Sequence, residues 1–246
     1  MKTVILSAGV GSRLQSILNG RPKPLFELGG KSLLCRSLDA LAARGIDNVT
    51  LAVGFKERDI RKEIGSQYSR LKINYALNKR YHSTGSMHSL YLALGSPQDC
   101  LVLDGDIIYD SGLIQRILDS PLQNNVILSP CSGSGDEVYT NTNEEGRINY
   151  LGKADPGGMN LFEFTGISKF SKAFIKKMFT RHKNNLENKQ YGEYYEDCAY
   201  QISKTIPWYG LITQKNQWSE IDKPEDVPRA MKVLKKQKPK GLNTAR

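Results

Sequence analysis

The chain has 246 residues, 24% of them charged, and a formal net charge of +10. No apolar run approaches the ~20 residues of a membrane span, and Met1-Lys2 leads straight into an apolar strand without a cleavable signal pattern, so a cytoplasmic location is expected. Cys35, Cys100, Cys131 and Cys198 are scattered without a C-x-x-C pair, which argues against a zinc site or a disulfide framework and for buried thiols. The positive charge would suit nucleic acid, an anionic membrane surface or polyanionic substrates. Much of it lies in Arg229, Lys232, Lys235, Lys236, Lys238, Lys240 and Arg246, a run with no acidic residue, and a solvated, flexible tail is expected over 231–246. The length suits a single large α/β unit or two small domains.

Residues 4–7 form the first predicted strand, which ends in Ser7-Ala8-Gly9-Val10-Gly11-Ser12-Arg13-Leu14. Gly9 and Gly11 carry no Cβ, so backbone N–H groups there can approach phosphate oxygens, and a helix following the turn would add its positive end. Arg13 offers a planar fork of donors. Lys23, in Arg21-Pro22-Lys23-Pro24-Leu25, offers a point charge on a segment stiffened by two prolines. Together these parts read as a polyphosphate cradle. The glycines fall short of G-x-G-x-x-G and lack the G-K-[S/T] ending of a P-loop, and an ordinary strand-to-helix turn is the alternative.

Apolar spacing then predicts a helix over 33–44 closed by Gly45, a strand over 49–53, a helix over 57–66, a strand over 72–77, a helix over 88–94 and a strand over 100–103. This alternation argues for a mainly parallel sheet with helices on both faces. After Asp110 come a helix ending at Ser120, strands near 126–129 and 148–151, loop-rich residues 131–136, helices over 172–179 and 196–202, and a short strand near Leu211. With no repeat or long linker, residues 1–230 read as one domain. Residues 1–110 form its nucleotide-binding half, and 111–230 add an acceptor pocket to the same sheet.

The last strand of the first half leads into Asp104-Gly105-Asp106, at the carboxyl end of a sheet strand where ligands bind in open α/β folds. Carboxylates there suit a hard cation such as Mg²⁺, although capping of the turn is the alternative. The polar run Tyr81-His82-Ser83-Thr84-Gly85-Ser86-Met87-His88-Ser89 offers hydroxyls and backbone amides to a pyrimidine edge. Tyr191-Gly192-Glu193-Tyr194-Tyr195-Glu196-Asp197 gathers three aromatics and three carboxylates, a composition that attracts an ammonium group, or else starts an ordinary acidic helix.

The phrase G-x-G-S-R-L, a spacer, P-K-x-L and then Gly29-Gly30-Lys31-Ser32-Leu33 resembles the N-terminal signature of the nucleotidyltransferases that make activated sugars and headgroups. Over residues 1–230 the chain is similar to the CTP-dependent phosphocholine and 2-aminoethylphosphonate cytidylyltransferases. The resemblance implies a Rossmann-like, GT-A-like α/β fold and in-line attack of an acceptor phosphate or phosphonate oxygen on the α-phosphorus of CTP, with release of pyrophosphate. It implies that Ser7, Ala8, Gly9, Gly11, Ser12 and Asp104 contact the nucleotide, that Arg13 and Lys23 stabilise the triphosphate, and that Thr84, Gly85, Ser86 and Ser89 meet the base. Asp106 and Asp222, the latter in Trp218-Ser219-Glu220-Ile221-Asp222, would share Mg²⁺. Lys153 would hold the acceptor phosphate, and Tyr194, Tyr195, Glu196 and Asp197 the headgroup cation. Those enzymes carry asparagines where this chain has Gly85 and Ser86, so the base is open between CTP and another NTP. The expected partners are an NTP and a small phosphorylated or phosphonate acceptor, without nucleic acid. A sugar-1-phosphate nucleotidyltransferase, a glycosyltransferase using the D-x-D, and an inactive module binding through its basic tail are the alternatives.

Overall fold

The computed structural model describes residues 1–157 and 160–237. The chain opens on β1 (Lys2–Ser7), turns through a 3-10 segment (Ser12–Leu14) into the single turn α1 (Gln15–Leu18), and forms a small hairpin from β2 (Glu27–Leu28) and β3 (Lys31–Ser32). α2 (Leu33–Ala42) follows, its first turn capped by Ser32 Oγ accepting from the Cys35 N–H. β4 (Asn48–Val53), α3 (Glu57–Ile64), β5 (Gln67–Tyr68), β6 (Leu71–Leu77), α4 (Ser86–Leu94) and β7 (Cys100–Asp104) complete the first half. The second half runs through β8 (Ile107–Tyr109), α5 (Gly112–Asp119), β9 (Asn125–Pro130), β10 (Tyr139–Thr142), β11 (Ile148–Gly152), β12 (Phe162–Phe170), α6 (Lys172–Glu187), α7 (Tyr195–Ser203), β13 (Tyr209–Ile212), β14 (Trp218–Glu220) and α8 (Val227–Gln237).

β6, β4, β1 and β7 pair in parallel at the centre of a ten-stranded sheet. β12 then runs antiparallel to β7 and also pairs with β9 and β10, while β13 lies parallel beside β9. Alternate residues of these strands point to opposite faces. Ile5, Leu51, Leu101 and Ile127 meet α2, α3 and α5; Val4, Ala52, Val102 and Val126 meet α4, α6 and α7. A smaller cluster around Leu14, Leu18, Ile221 and Val233 seats α8 against α1. The mainly parallel α/β sheet covered on both faces is thus the architecture of the chain, with β12 reversed inside it and β5 and β11 reversed at its edges.

Three expectations change. The glycine turn is followed by one 3-10 turn and one turn of α-helix, too short to aim a helix dipole at a ligand; Asn19 and Gly20, both at positive φ, end it. Residues 231–237, expected in a flexible tail, are helical, because Met231, Val233 and Leu234 continue the apolar stripe of α8; 238–246 lie outside the described residues. Of the four thiols, Cys100 and Cys198 are buried but Cys35 and Cys131 only half so, and all four are free.

Candidate active site

The carboxyl ends of β1 and β7 face a cleft of about 520 Å³, continuous with a lobe of about 340 Å³. They share Leu6, Gly9, Asp104, Asp106, Tyr194, Glu196 and Glu220 as common walls. On the larger side lie Ser7, Gly11, Ser12, Arg13, Lys23, Lys153, Asp197 and Asp222; on the smaller side, Ala8, Thr84, Gly85, Ser86 and Ser89. Among the expected site residues only Tyr195 is on neither wall. It is fully buried, packed edge-on against Phe164 at 5.8 Å, because it starts the stripe Tyr195, Cys198 and Ala199 by which α7 faces the sheet.

The glycine turn does its work through space as much as through donors. A Cβ on Gly9 would meet nothing within 4 Å, so the cleft opens directly onto its backbone. Gly11 sits at φ 63°, and a Cβ there would lie 2.8 Å from the Lys23 Cβ. This glycine therefore makes room for the lysine stem. The Ser7 hydroxyl at the end of β1 is buried without a hydrogen-bond partner among the described residues, and it borders the same cleft.

Lys23 is buried and extends its ammonium into a carboxylate cluster. Its Nζ donates to Asp106 Oδ2 at 2.7 Å and to Asp222 Oδ1, and lies 3.8 Å from Glu220 Oε1. Burial works against its charge, but Asp106, Glu220 and Asp222 outweigh that cost and raise its pKa above the ordinary lysine value. The pairing of β14 with β8, Glu220 opposite Ile107, brings 220–222 beside the end of β7. Burial would raise the Asp222 pKa, yet Lys23 and Arg13 hold it below the usual carboxylate range. Glu220 and Asp104 go the other way, raised by burial and by neighbouring carboxylates.

Arg13 donates from Nη2 to Asp222 Oδ2 at 2.6 Å and from Nη1 to Asp136 Oδ2. Lys153 Nζ donates to the Asp136 carbonyl at 2.8 Å. Asp136 therefore ties Arg13 to Lys153. It lies in the loop after β9, which the buried Glu137 and Glu163 pin through Ser132 and Ser134. At the start of α7 burial pushes Glu196 up to about 7 and also raises Asp197. Tyr194 stands 56% exposed beside them, leaving an aromatic face free for a ligand.

One oxygen from each of Asp106, Glu220 and Asp222 lies within 4.8 Å of the others, an all-oxygen donor set that fits a hard divalent cation, with the Lys23 ammonium as the positive charge at that point. Glu220 was missed by motif reading; counting back by two from Asp222 along a strand would have found it on the same face. Asp136 carried no sequence signal, being a loop residue. Gly166 was missed as well: it sits at φ 75° in β12, where a Cβ would lie 2.3 Å from Asp104 Oδ2. His88 pairs its Nδ1 with His182 Nε2 at 3.0 Å, and neither imidazole borders the cleft.

Residues 3–155 match the MobA-like NTP transferase domain. The chain belongs to that nucleotidyltransferase family. This MobA-like transferase is 28% identical, over 94% of its length, to the CMP-5'-(3-aminopropyl)phosphonate synthase of Streptomyces rubellomurinus, and covers 38% of that protein. The chain thus spans well under half the length of that relative. It is 27% identical to the choline-phosphate cytidylyltransferase of Haemophilus influenzae over 68% of each chain. Among solved structures, the inositol-1-phosphate CTP transferase of T. maritima superposes with a TM-score of 0.78 at 17% identity, covering 98% of this chain and 97% of that one. The CTP:phosphocholine cytidylyltransferase of Streptococcus pneumoniae gives 0.72 at 16% identity, over 95% and 98%. The MobA-like transferase therefore shares its fold with these enzymes. Among its described residues no helix is long and apolar enough to cross a membrane.

Proposed function

We propose that the chain is a Mg²⁺-dependent cytidylyltransferase that joins CMP from CTP to a small zwitterionic headgroup, such as phosphocholine or 2-aminoethylphosphonate, and releases pyrophosphate. The observation that carries this reading is the division of charge along one cleft. Arg13, Lys23 and Lys153 supply cations for phosphates, while the Tyr194 ring, Glu196 and Asp197 line the same wall with groups that attract an ammonium. A sugar phosphate has no positive charge for those carboxylates to meet. The cytidylyl transfers named for the two relatives agree with this choice of nucleotide and headgroup.

In the reaction an acceptor oxygen forms a bond to the α-phosphorus of CTP, and the bond from that phosphorus to the bridging oxygen of the β-phosphate breaks. The acceptor oxygen is ionised near neutral pH, so no general base is required. Arg13 and Lys23 exchange their carboxylate partners for phosphate oxygens and stabilise charge on the leaving pyrophosphate; Lys153 steers the acceptor anion. The work is positioning and charge neutralisation by preorganised groups. Asp106, Glu220 and Asp222 would hold Mg²⁺, which supplies charge neutralisation at the triphosphate when bound. Pyrophosphate release measured for four NTPs crossed with phosphocholine, phosphoethanolamine, 2-aminoethylphosphonate and sugar 1-phosphates tests the reading. CTP with a cationic acceptor should be the fastest pair; a sugar 1-phosphate far outperforming the others would replace it with a sugar-nucleotide activity.

A further inference from the structure

The segment that carries the acceptor carboxylates is built onto the loop expected to read the base. Residues 191–195 lie along residues 85–87 in close backbone contact. The Gly85 N–H donates to the Tyr191 carbonyl at 2.8 Å, and the Met87 N–H to the Glu193 carbonyl at 3.3 Å. A Cβ on Gly85 would fall 2.1 Å from the Glu193 oxygen, so no other residue allows this approach. The Arg80 guanidinium covers the Tyr191 ring at 4.3 Å, and Glu193 is clamped from α6 by Arg181 at 2.6 Å and Asn185 at 2.7 Å.

The decisive bond joins Ser86 to the start of α7. Tyr194, the N-cap of that helix, provides no side-chain cap, so the first amides of α7 need partners from elsewhere. The Tyr195 N–H finds one in Ser86 Oγ at 2.9 Å. Ser86 thus caps, from a different element, the helix whose first turn holds Glu196 and Asp197. The Thr84 hydroxyl is likewise committed inward, accepting from Asn78 Nδ2 at 3.0 Å and donating to the Arg80 carbonyl at 2.9 Å.

We infer that Ser86 is a positioning residue for the acceptor: it fixes the first turn of α7, and with it the two headgroup carboxylates, against the nucleotide lobe. The inference rests on the acceptor assignment proposed above. Ser86→Ala should raise the KM for a cationic acceptor about five-fold, the loss of one helix cap of ~1 kcal/mol at 1.4 kcal/mol per tenfold. The KM for CTP should stay within about two-fold of the parent, the preference for CTP over UTP should be unchanged, and Ser86→Thr, which keeps the oxygen, should recover the acceptor KM. A lower preference for CTP, or a rise in the CTP KM equal to that for the acceptor, would make Ser86 a base contact and overturn the inference. Amide hydrogen exchange at Tyr195 is independent of turnover. Faster exchange in Ser86→Ala supports the cap even if the parent proves inactive with every acceptor, an outcome that would sink the proposed function alone. Unchanged exchange removes the cap.

Discussion

The two ends of the cleft handle charge in opposite ways. At the end proposed for the triphosphate both cations already have anionic partners: Lys23 sits among Asp106, Glu220 and Asp222, and Arg13 between Asp136 and Asp222. At the end proposed for the acceptor Glu196 and Asp197 form no ion pair among the described residues, and burial raises the pKa of both. Lys23, Arg13 and Asp222 hold their charges through these pairings. Glu196, pushed up to about 7, is only partly charged near neutral pH and gains charge when a cation joins it. Preorganised charge therefore belongs to the Arg13 and Lys23 end of the cleft, and conditional charge to the Glu196 end, the end proposed above for the headgroup.

The largest effect should come from the preorganised end. Lys23→Ala removes the central cation and should lower turnover by roughly 100-fold or more, as when one charge-stabilising group of an active site is lost. Circular dichroism should show the variant folded. Full activity in a folded variant would detach Lys23 from the triphosphate.

Next in size is the response to metal. EDTA should abolish turnover and added Mg²⁺ restore it, and Asp222→Asn should raise the Mg²⁺ concentration needed for half-maximal rate by more than about tenfold, since even outer-shell partners of a metal are worth that much. An unaltered Mg²⁺ dependence in the variant would leave Asp222 as a partner of Lys23 and Arg13 only.

A smaller effect should follow pH. Glu196 titrates at about 7, raised first by burial and then by Asp197 and Asp106, with Lys153 opposing. Below that pH it is neutral and gains nothing from an ammonium; above it, the charge is present. The KM for 2-aminoethylphosphonate should therefore fall by up to about tenfold between pH 6 and pH 8 relative to ethylphosphonate, each counted as its phosphonate dianion because the ammonium lowers the phosphonate pKa of the amino compound. Glu196→Gln should flatten that ratio. A ratio constant with pH in the parent would contradict the role given to Glu196.

The same contrast governs what could be read without the structure. Arg13, Lys23 and Asp106, which line one cleft, were legible because each sits in a short phrase, Arg13 and Asp106 following a predictable strand and Lys23 lying between two prolines. Apolar runs likewise exposed the central parallel strands, whose residues are buried on both faces. β12 was not legible: Glu163, Thr165 and Ser168 are buried polar residues that break the apolar pattern, and Gly166 interrupts it again beside Asp104. Asp136 and Glu220 needed tertiary contacts to appear at all. Tyr195 was misplaced for a different reason: composition and resemblance drew it to the ligand, and the helix expected from residue 196 begins one residue earlier, so that its spacing with Cys198 and Ala199 turns it to the core.

The most direct test of the division of charge is a single comparison in the wild-type protein: the rate of pyrophosphate release from CTP with 2-aminoethylphosphonate against ethylphosphonate, at saturating Mg²⁺ and pH 8. One amino group separates the two acceptors, and no mutation disturbs the fold. A cation beside aromatic and carboxylate groups is worth ~0.5 to 2 kcal/mol, so kcat/KM should be about 2- to 30-fold higher for the amino compound. Equal values would mean that the acid-rich end of the cleft does not recognise an ammonium, and the assignment of the headgroup would fall.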